Sequence, residues 1–321
     1  MYTLNQERQA SLPPVLSPVL TPFNADLTPS APRFVKLCES LLRQEVGLAI
    51  FGTNSEANSL TLIEKRVLLD TLLDAGLPAE KMMPGTGVCA LRDTVELTRH
   101  AVDSGCAGVL MLPPFYYKGV SDEGLFRAFS YVIDSIADER LRIYLYHIPP
   151  VSSVGISGDL IERLLKAYPR TIAGIKDSSG DWTNTEALLN RFGSQDFDVF
   201  AGSETFLLRT LQAGGAGCIT ATGNVNAAAI ARLARTWRGD NANAQQSKLD
   251  AVRAAFQKFP MIAAMKAAVA FASGDDAWSL VRPPLVELDT AQRRTLRDAL
   301  DSIGFRIEDA EYLAELDPQA S

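Results

Sequence analysis

Histidine is nearly absent: the 321-residue chain has two, His100 and His147. A three-histidine zinc site is therefore impossible, no HExxH pair exists, and carboxylates are the only route left to a metal such as Mg²⁺. His100 lies in the helical pattern LRDTVELTRHAVDSG and reads as a helix-surface or satisfied core residue. Cysteine is sparse as well. Cys38, Cys89, Cys106 and Cys218 form no CxxC pair, which reads as buried structural thiols in a reducing compartment rather than a disulfide framework. A basic excess is missing, since 31 Lys and Arg face 38 Asp and Glu for a net charge of −7. Nucleic acid and anionic membranes are not expected partners. The most apolar late stretch, Met261 to Ala272, is interrupted by Lys266 and is too short to span a bilayer. The first residues, with Glu7 and Arg8, lack the apolar run of a secretory signal. The expectation is a cytoplasmic protein.

What the chain does have is a rhythm. Short β-rich runs at 15–20, 47–52, 81–85, 107–112, 142–147, 171–176, 197–202 and 216–221 alternate with amphipathic segments. In EKRVLLDTLLDAG, for example, Val67, Leu68, Leu72 and Leu73 recur near helical spacing. Eight parallel strands alternating with helices predict a (β/α)₈ TIM barrel, with a doubly wound open sheet as the rival. No GxGxxG follows the first strand, which argues against the rival's dinucleotide-binding version. Helical patterns after residue 240 predict a C-terminal helical extension. The expected division is an N-terminal segment 1–14, a catalytic barrel 15–239 and a helical region 240–321.

In such a barrel the carboxyl ends of the strands carry the chemistry. Those ends are poor in acids and bases except for one lysine and several tyrosines, an unpromising set for a hydrolase. Lys176 closes the apolar run TIAGI. A low-dielectric mouth disfavours its ammonium form and frees an amine that can attack a carbonyl to give an imine. The competing reading is a lysine paired with Asp177 or another strand-end carboxylate. Tyr146 ends the preceding strand, where its phenol could shuttle protons or simply pack. The turn Gly52-Thr53-Asn54-Ser55-Glu56 precedes a helix start marked by Thr61 and Glu64, and its backbone N–H groups could receive a carboxylate. Gly214, Gly215 and Gly217 have no accompanying cation and read as a turn rather than a phosphate cradle.

LYHIP around Tyr146, GIKDSSGD around Lys176, GTNSE, PPFYYKGVSDEGL and FAGSE followed by GGAGCITATGNV together resemble the dihydrodipicolinate synthase / N-acetylneuraminate lyase family. The resemblance runs in order from about Val15 to Val225, and the helical tail also fits. It implies a (β/α)₈ barrel with a C-terminal helical region, a homotetramer built as a dimer of dimers, and a Schiff-base lysine acting on a 2-oxo acid such as pyruvate without metal or organic cofactor. Carried over, Lys176 falls on the imine-forming lysine and Tyr146 on the catalytic tyrosine. Thr53 falls on the hydroxyl linking the tyrosines, and the backbone of Thr53 and Asn54 on the carboxylate-binding turn. Tyr116 falls on the tyrosine lent to a neighbouring subunit, or Tyr117 if the local insertion is placed differently. Gly202 and Ile219 fall on positions lining the site.

Two departures bear on the reaction. Asn54 and Ser55 stand where the family turn usually has Thr and Gly. Val151 stands where dihydrodipicolinate synthases carry an arginine that grips the aldehyde substrate's carboxylate, a contact valine cannot make. The expected activity is therefore release of pyruvate from a hydroxylated 2-oxo acid by retro-aldol cleavage. A 2-oxo-3-deoxy acid dehydratase, the synthase itself and a non-catalytic 2-oxo acid-binding protein are the alternatives. Selectivity is expected in Val151, Ser152, Ser203, Glu204 and nearby loops.

Overall fold

The computed structural model describes residues 12–193 and 196–314. Glu7, Arg8 and most of the 1–14 segment lie outside the described residues, as does the end of the 240–321 region. Seven strands are formed among the described residues: β1 (Val15–Ser17), β2 (Gly47–Leu48), β3 (Val109–Met111), β4 (Ile143–His147), β5 (Ile172–Asp177), β6 (Asp198–Ala201) and β7 (Gly217–Ile219). All pair in parallel, in the order β2-β1-β7-β6-β5-β4-β3.

The run expected as a strand at 81–85 does not form a regular one. It makes single parallel bridges, Leu48 to Met82 and Gly85 to Leu110. Met83 and Gly85 donate backbone N–H bonds to Leu48 and Ile50, while Leu110 donates to Pro84. Pro84 has no N–H of its own, which deprives the ladder of a donor. The segment nevertheless joins both edges of the sheet, which curls into a TIM-barrel-like α/β fold.

Helices follow the strands around the outside: α1 (Ala31–Arg43), α2 (Leu62–Asp74), α3 (Leu91–Asp103), α4 (Asp122–Ile136), α5 (Pro149–Ser152), α6 (Gly158–Ala167), α7 (Trp182–Phe192), α8 (Leu207–Gln212) and α9 (Ala227–Thr236). After them come α10 (Ala242–Phe256), α11 (Met261–Ser273), α12 (Thr290–Ser302) and α13 (Ala310–Ala314). No helix among the described residues is long and apolar enough to cross a membrane. The expected start of α2 is realised as a reciprocal cap, Thr61 Oγ1 accepting from Glu64 N and Glu64 accepting from Thr61 N. Such a cap stabilises a helix by about 1 kcal/mol.

Strand residues are buried on both faces, as a helix-covered parallel sheet requires. Leu16, Ala49, Met83, Leu110, Tyr144, Tyr146, Phe200 and Ile219 fill the bore, and two larger apolar clusters lie between sheet and helices. Two expectations fail in this shell. Val67 is exposed, and the buried stripe of α2 is Lys65, Leu68, Leu69 and Leu72. Cys89 is exposed and Cys106 half-buried, whereas Cys38 and Cys218 are buried. Cys89 falls just before α3, outside the face that helix presents to the sheet.

Candidate active site

The bore's upper end is set by the parallel register of β4 and β5, which pairs Tyr146 with Lys176. Side chains alternate along a strand, so both face inward while their successors His147 and Asp177 face the helices. There Asp177 accepts from Ser179 N, Ser179 Oγ and Thr185 Oγ1 at 3.0, 3.1 and 2.6 Å. His147 Nδ1 accepts from Ile156 N at 2.9 Å. Burial pushes the His147 imidazole below its ordinary value, opposed by the nearby Asp177 charge. The pairing of Lys176 with Asp177 weighed from the sequence does not occur.

Lys176 is 2% exposed and makes no hydrogen bond or ion pair among the described residues. Its Nζ sits 4.3 Å from the centre of the Tyr146 ring. A cation over a ring face gains about 1–2 kcal/mol when desolvated, and the ring supplies no opposite formal charge. The Tyr146 hydroxyl lies 3.1 Å from Thr53 Oγ1. Lys176, Tyr146 and Thr53 thus form one continuous set.

Thr53 opens the turn after β2, with Asn54 beside it and both half-exposed. Ser55 is buried; its Oγ accepts from Gly52 N at 3.1 Å and its carbonyl accepts from Thr21 Oγ1 at 2.7 Å. The turn is closed on itself, leaving its outer face open toward Tyr146. A pocket lined by Gly52, Thr53, Asn58, Lys65, Gly87 and Tyr146 adjoins it. Gly202 follows β6, where a Cβ would come within 2.2 Å of Ser178 Oγ, so only glycine allows the approach to the end of β5. Ile219 is fully buried in the bore cluster.

Tyr116 does not join this set within the chain. It is 73% exposed, stacked edge-on against Tyr117 at 5.4 Å. Their loop is held by Lys118 Nζ, which donates to the carbonyls of Phe115 and Ser152. The expected selectivity residues divide. Val151 on α5 is 63% exposed, while Ser152 is buried, with its hydroxyl donating to the Ile148 and Val154 carbonyls. Ser203 caps the following turn by accepting from Thr205 N. Glu204 is fully buried, accepts from the Thr220 and Thr222 hydroxyls and pairs with Arg253 of α10 at 3.3 Å, so it braces the strand ends. Ser152 and Glu204 have their polar atoms committed to the protein.

Lys65 was not singled out from sequence. It is 4% exposed, without a hydrogen-bond or ion-pair partner among the described residues, and burial pulls its ammonium down to about 8 against the opposing Asp93 charge. Its signal was present: positions 65, 68, 69 and 72 follow the helical stripe. No group of three or more His, Cys, Asp or Glu among the described residues is placed to hold a metal ion.

The model of the dihydrodipicolinate synthetase family matches residues 12–303. The chain belongs to this family. It is accordingly a lyase of the aldolase type. An uncharacterized DapA-like lyase of Chloroflexus aurantiacus is 32% identical over 90% of this chain and 96% of its own length. The crystal structure of dihydrodipicolinate synthase from Agrobacterium tumefaciens superposes with a TM-score of 0.84 at 31% identity, covering 91% of this chain and 99% of that one. YagE of Escherichia coli K12, solved in complex with pyruvate, superposes with a TM-score of 0.81 at 27% identity over 90% of this chain and 97% of its own. YagE is provisionally named a 2-dehydro-3-deoxy-D-gluconate aldolase.

Proposed function

We propose that this family member cleaves a hydroxylated 2-oxo (2-keto-3-deoxy) acid to pyruvate and an aldehyde through an imine on Lys176. The observation that carries the reading is a buried lysine with no acidic partner, lying over a tyrosine whose hydroxyl meets Thr53. The Lys176 amine attacks the C2 carbonyl and water leaves, giving the iminium. The backbone of Thr53 and Asn54 receives the C1 carboxylate, which fixes C2 against the amine. Gly202 and Ile219 line the site beside it, the latter through its backbone carbonyl. Tyr146 takes the proton of the C4 hydroxyl as the C3–C4 bond breaks. The bonding pair flows into the iminium and the aldehyde departs. The enamine is protonated at C3, and water then hydrolyses the imine to release pyruvate and the free amine. No metal or organic cofactor enters this scheme.

Tyr116, exposed in the single chain, would complete the relay at Thr53 of a neighbouring subunit, in a dimer of dimers; Tyr117 beside it is the alternative donor. The helices after residue 240 are read as an extension of the 15–239 catalytic barrel, and the enzyme as cytoplasmic. YagE's name and its pyruvate complex favour the aldolase direction. The likeness to the Agrobacterium enzyme favours synthesis instead, but Val151 offers no charge to an aldehyde carboxylate. The test is a panel of 2-oxo-3-deoxy acids assayed for pyruvate release, with dehydration and aspartate semialdehyde condensation followed in parallel. Pyruvate release dominating supports the proposal. Dehydration or condensation dominating reassigns the reaction, and binding without turnover rejects catalysis.

A further inference from the structure

The turn that carries Thr53 is bracketed by two non-glycine residues in left-handed backbone conformations, Phe51 at φ 60° and Glu56 at φ 55°. Bulky residues held there are strained and persist only where surrounding contacts over-determine them. Phe51 is held by packing, 5% exposed and stacked on Phe34 at 6.4 Å. Glu56 is held by residues more than two hundred positions away. Its side chain is fully buried; Oε1 accepts from Lys266 Nζ on α11, and Oε2 accepts from the backbone N of Arg282 at 2.9 Å. Lys266 Nζ also donates to the Leu280 carbonyl at 2.7 Å. The Arg282 guanidinium donates to the Ser59 carbonyl at 2.7 Å and to the Leu27 carbonyl at 2.7 and 2.9 Å, and it pairs with Glu64. Phe23 lies under both cations, 4.3 Å from Lys266 Nζ and 4.8 Å from Arg282 Cζ. The segment 53–59 is therefore gripped at its middle and at its end, while its first residue meets Tyr146.

We infer that Lys266 and Arg282 are positioning residues: acting through Glu56 and Ser59, they set the Thr53–Asn54 turn at the geometry that receives the substrate carboxylate. The inference rests on the imine reading above. Neither cation lines the pocket beside Thr53 and Tyr146, so their loss acts on substrate placement rather than on Lys176 itself.

The test uses the full-length chain, borohydride and a pyruvate titration, with the trapped fraction read by mass spectrometry. Lys266→Met removes the cation, and Glu56→Gln/Lys266→Met removes both charges and leaves neither ion buried alone. Both variants should raise the half-saturating pyruvate concentration by about 10–10²-fold while the trapping rate at saturation stays within roughly threefold of wild type. The double variant should recover melting temperature without recovering half-saturation, a split that a purely structural brace would not produce. If neither Lys266 variant folds, Arg282→Gln carries the same measurement, since its side chain is partly exposed. A folded variant with wild-type half-saturation overturns the inference alone. Failure of pyruvate to label wild type overturns the imine reading and this inference with it.

Discussion

Lys176 and Lys266 are a matched pair in one molecule. They are 2% and 0% exposed, and each holds its ammonium nitrogen 4.3 Å from an aromatic ring centre, Tyr146 for one and Phe23 for the other. They differ in acceptors. Lys266 has the Glu56 carboxylate and the Leu280 carbonyl; Lys176 has neither kind of partner among the described residues. A buried ammonium needs compensation, and where the protein supplies a carboxylate and a carbonyl the lysine is a strut, although burial still pulls the Lys266 ammonium down to about 8 against the Glu56 charge. Where the protein withholds such acceptors, the amine is left available to a ligand. Burial alone therefore does not identify a reactive lysine; the acceptors around it and its place on a strand end beside Tyr146 and Thr53 do so together.

The comparison breaks most sharply under Lys176→Met. Turnover of the 2-oxo acid should fall by on the order of 10⁴-fold or more, because removing the attacking group removes the covalent route. The folded protein should lose little stability, since no partner is left unpaired. Steady-state assay and denaturant unfolding on the same preparation check both halves. Tyr146→Phe is milder. It keeps the ring under the Lys176 ammonium and deletes the hydroxyl facing Thr53, so turnover should drop by about 10²–10⁴-fold while borohydride trapping with pyruvate persists. Tyr116→Phe should cost up to about 10²-fold, with assembly unchanged by sedimentation. A monomer that is fully active on dilution would remove Tyr116 from the reaction.

Lys65 supplies the third and smallest contrast, a buried lysine that has neither a strut's partner nor a place on the barrel strands. Its value near 8 lies below the ordinary 10.5, so between those pH values the folded protein holds fewer protons than the unfolded chain. Stability from this group rises with pH across that window and is at its lowest below pH 8. Lys65→Met should therefore stabilise the protein at pH 7 by up to about 3 kcal/mol and flatten the alkaline rise. Urea unfolding at pH 7 and pH 9.5 checks it, and a loss of stability at pH 7 would assign Lys65 a partner.

The barrel rhythm was legible because eight apolar runs and their helices repeat at even spacing, and because Thr61 and Glu64 announce α2. The segment around Pro84 misled only in regularity, since proline is compatible with an extended path but not with a full ladder. Lys176 and Tyr146 were legible as strand ends, and the register of β4 and β5 brings them side by side. Contacts distant in sequence were harder to read. Nothing near Glu56 points to Lys266, although a single lysine inside the apolar run 261–272 was a signal of a buried ion pair. Glu204 likewise looked available for substrate until α10 brought Arg253 to it. Tyr116 is exposed in the single chain, and the partner proposed for it is the Thr53 of another copy.

Lys176, the buried lysine without acceptors that lies beside Tyr146 and Thr53, is proposed as the nucleophile, and neither Lys266 nor Lys65 is. Borohydride reduction in the presence of pyruvate, followed by peptide mapping, tests it most directly. One pyruvyl adduct per chain is expected on the peptide containing Lys176, with Lys266 and Lys65 unmodified and no adduct in Lys176→Met. An adduct on Lys65 or Lys266, or undiminished labelling of Lys176→Met, would contradict this assignment.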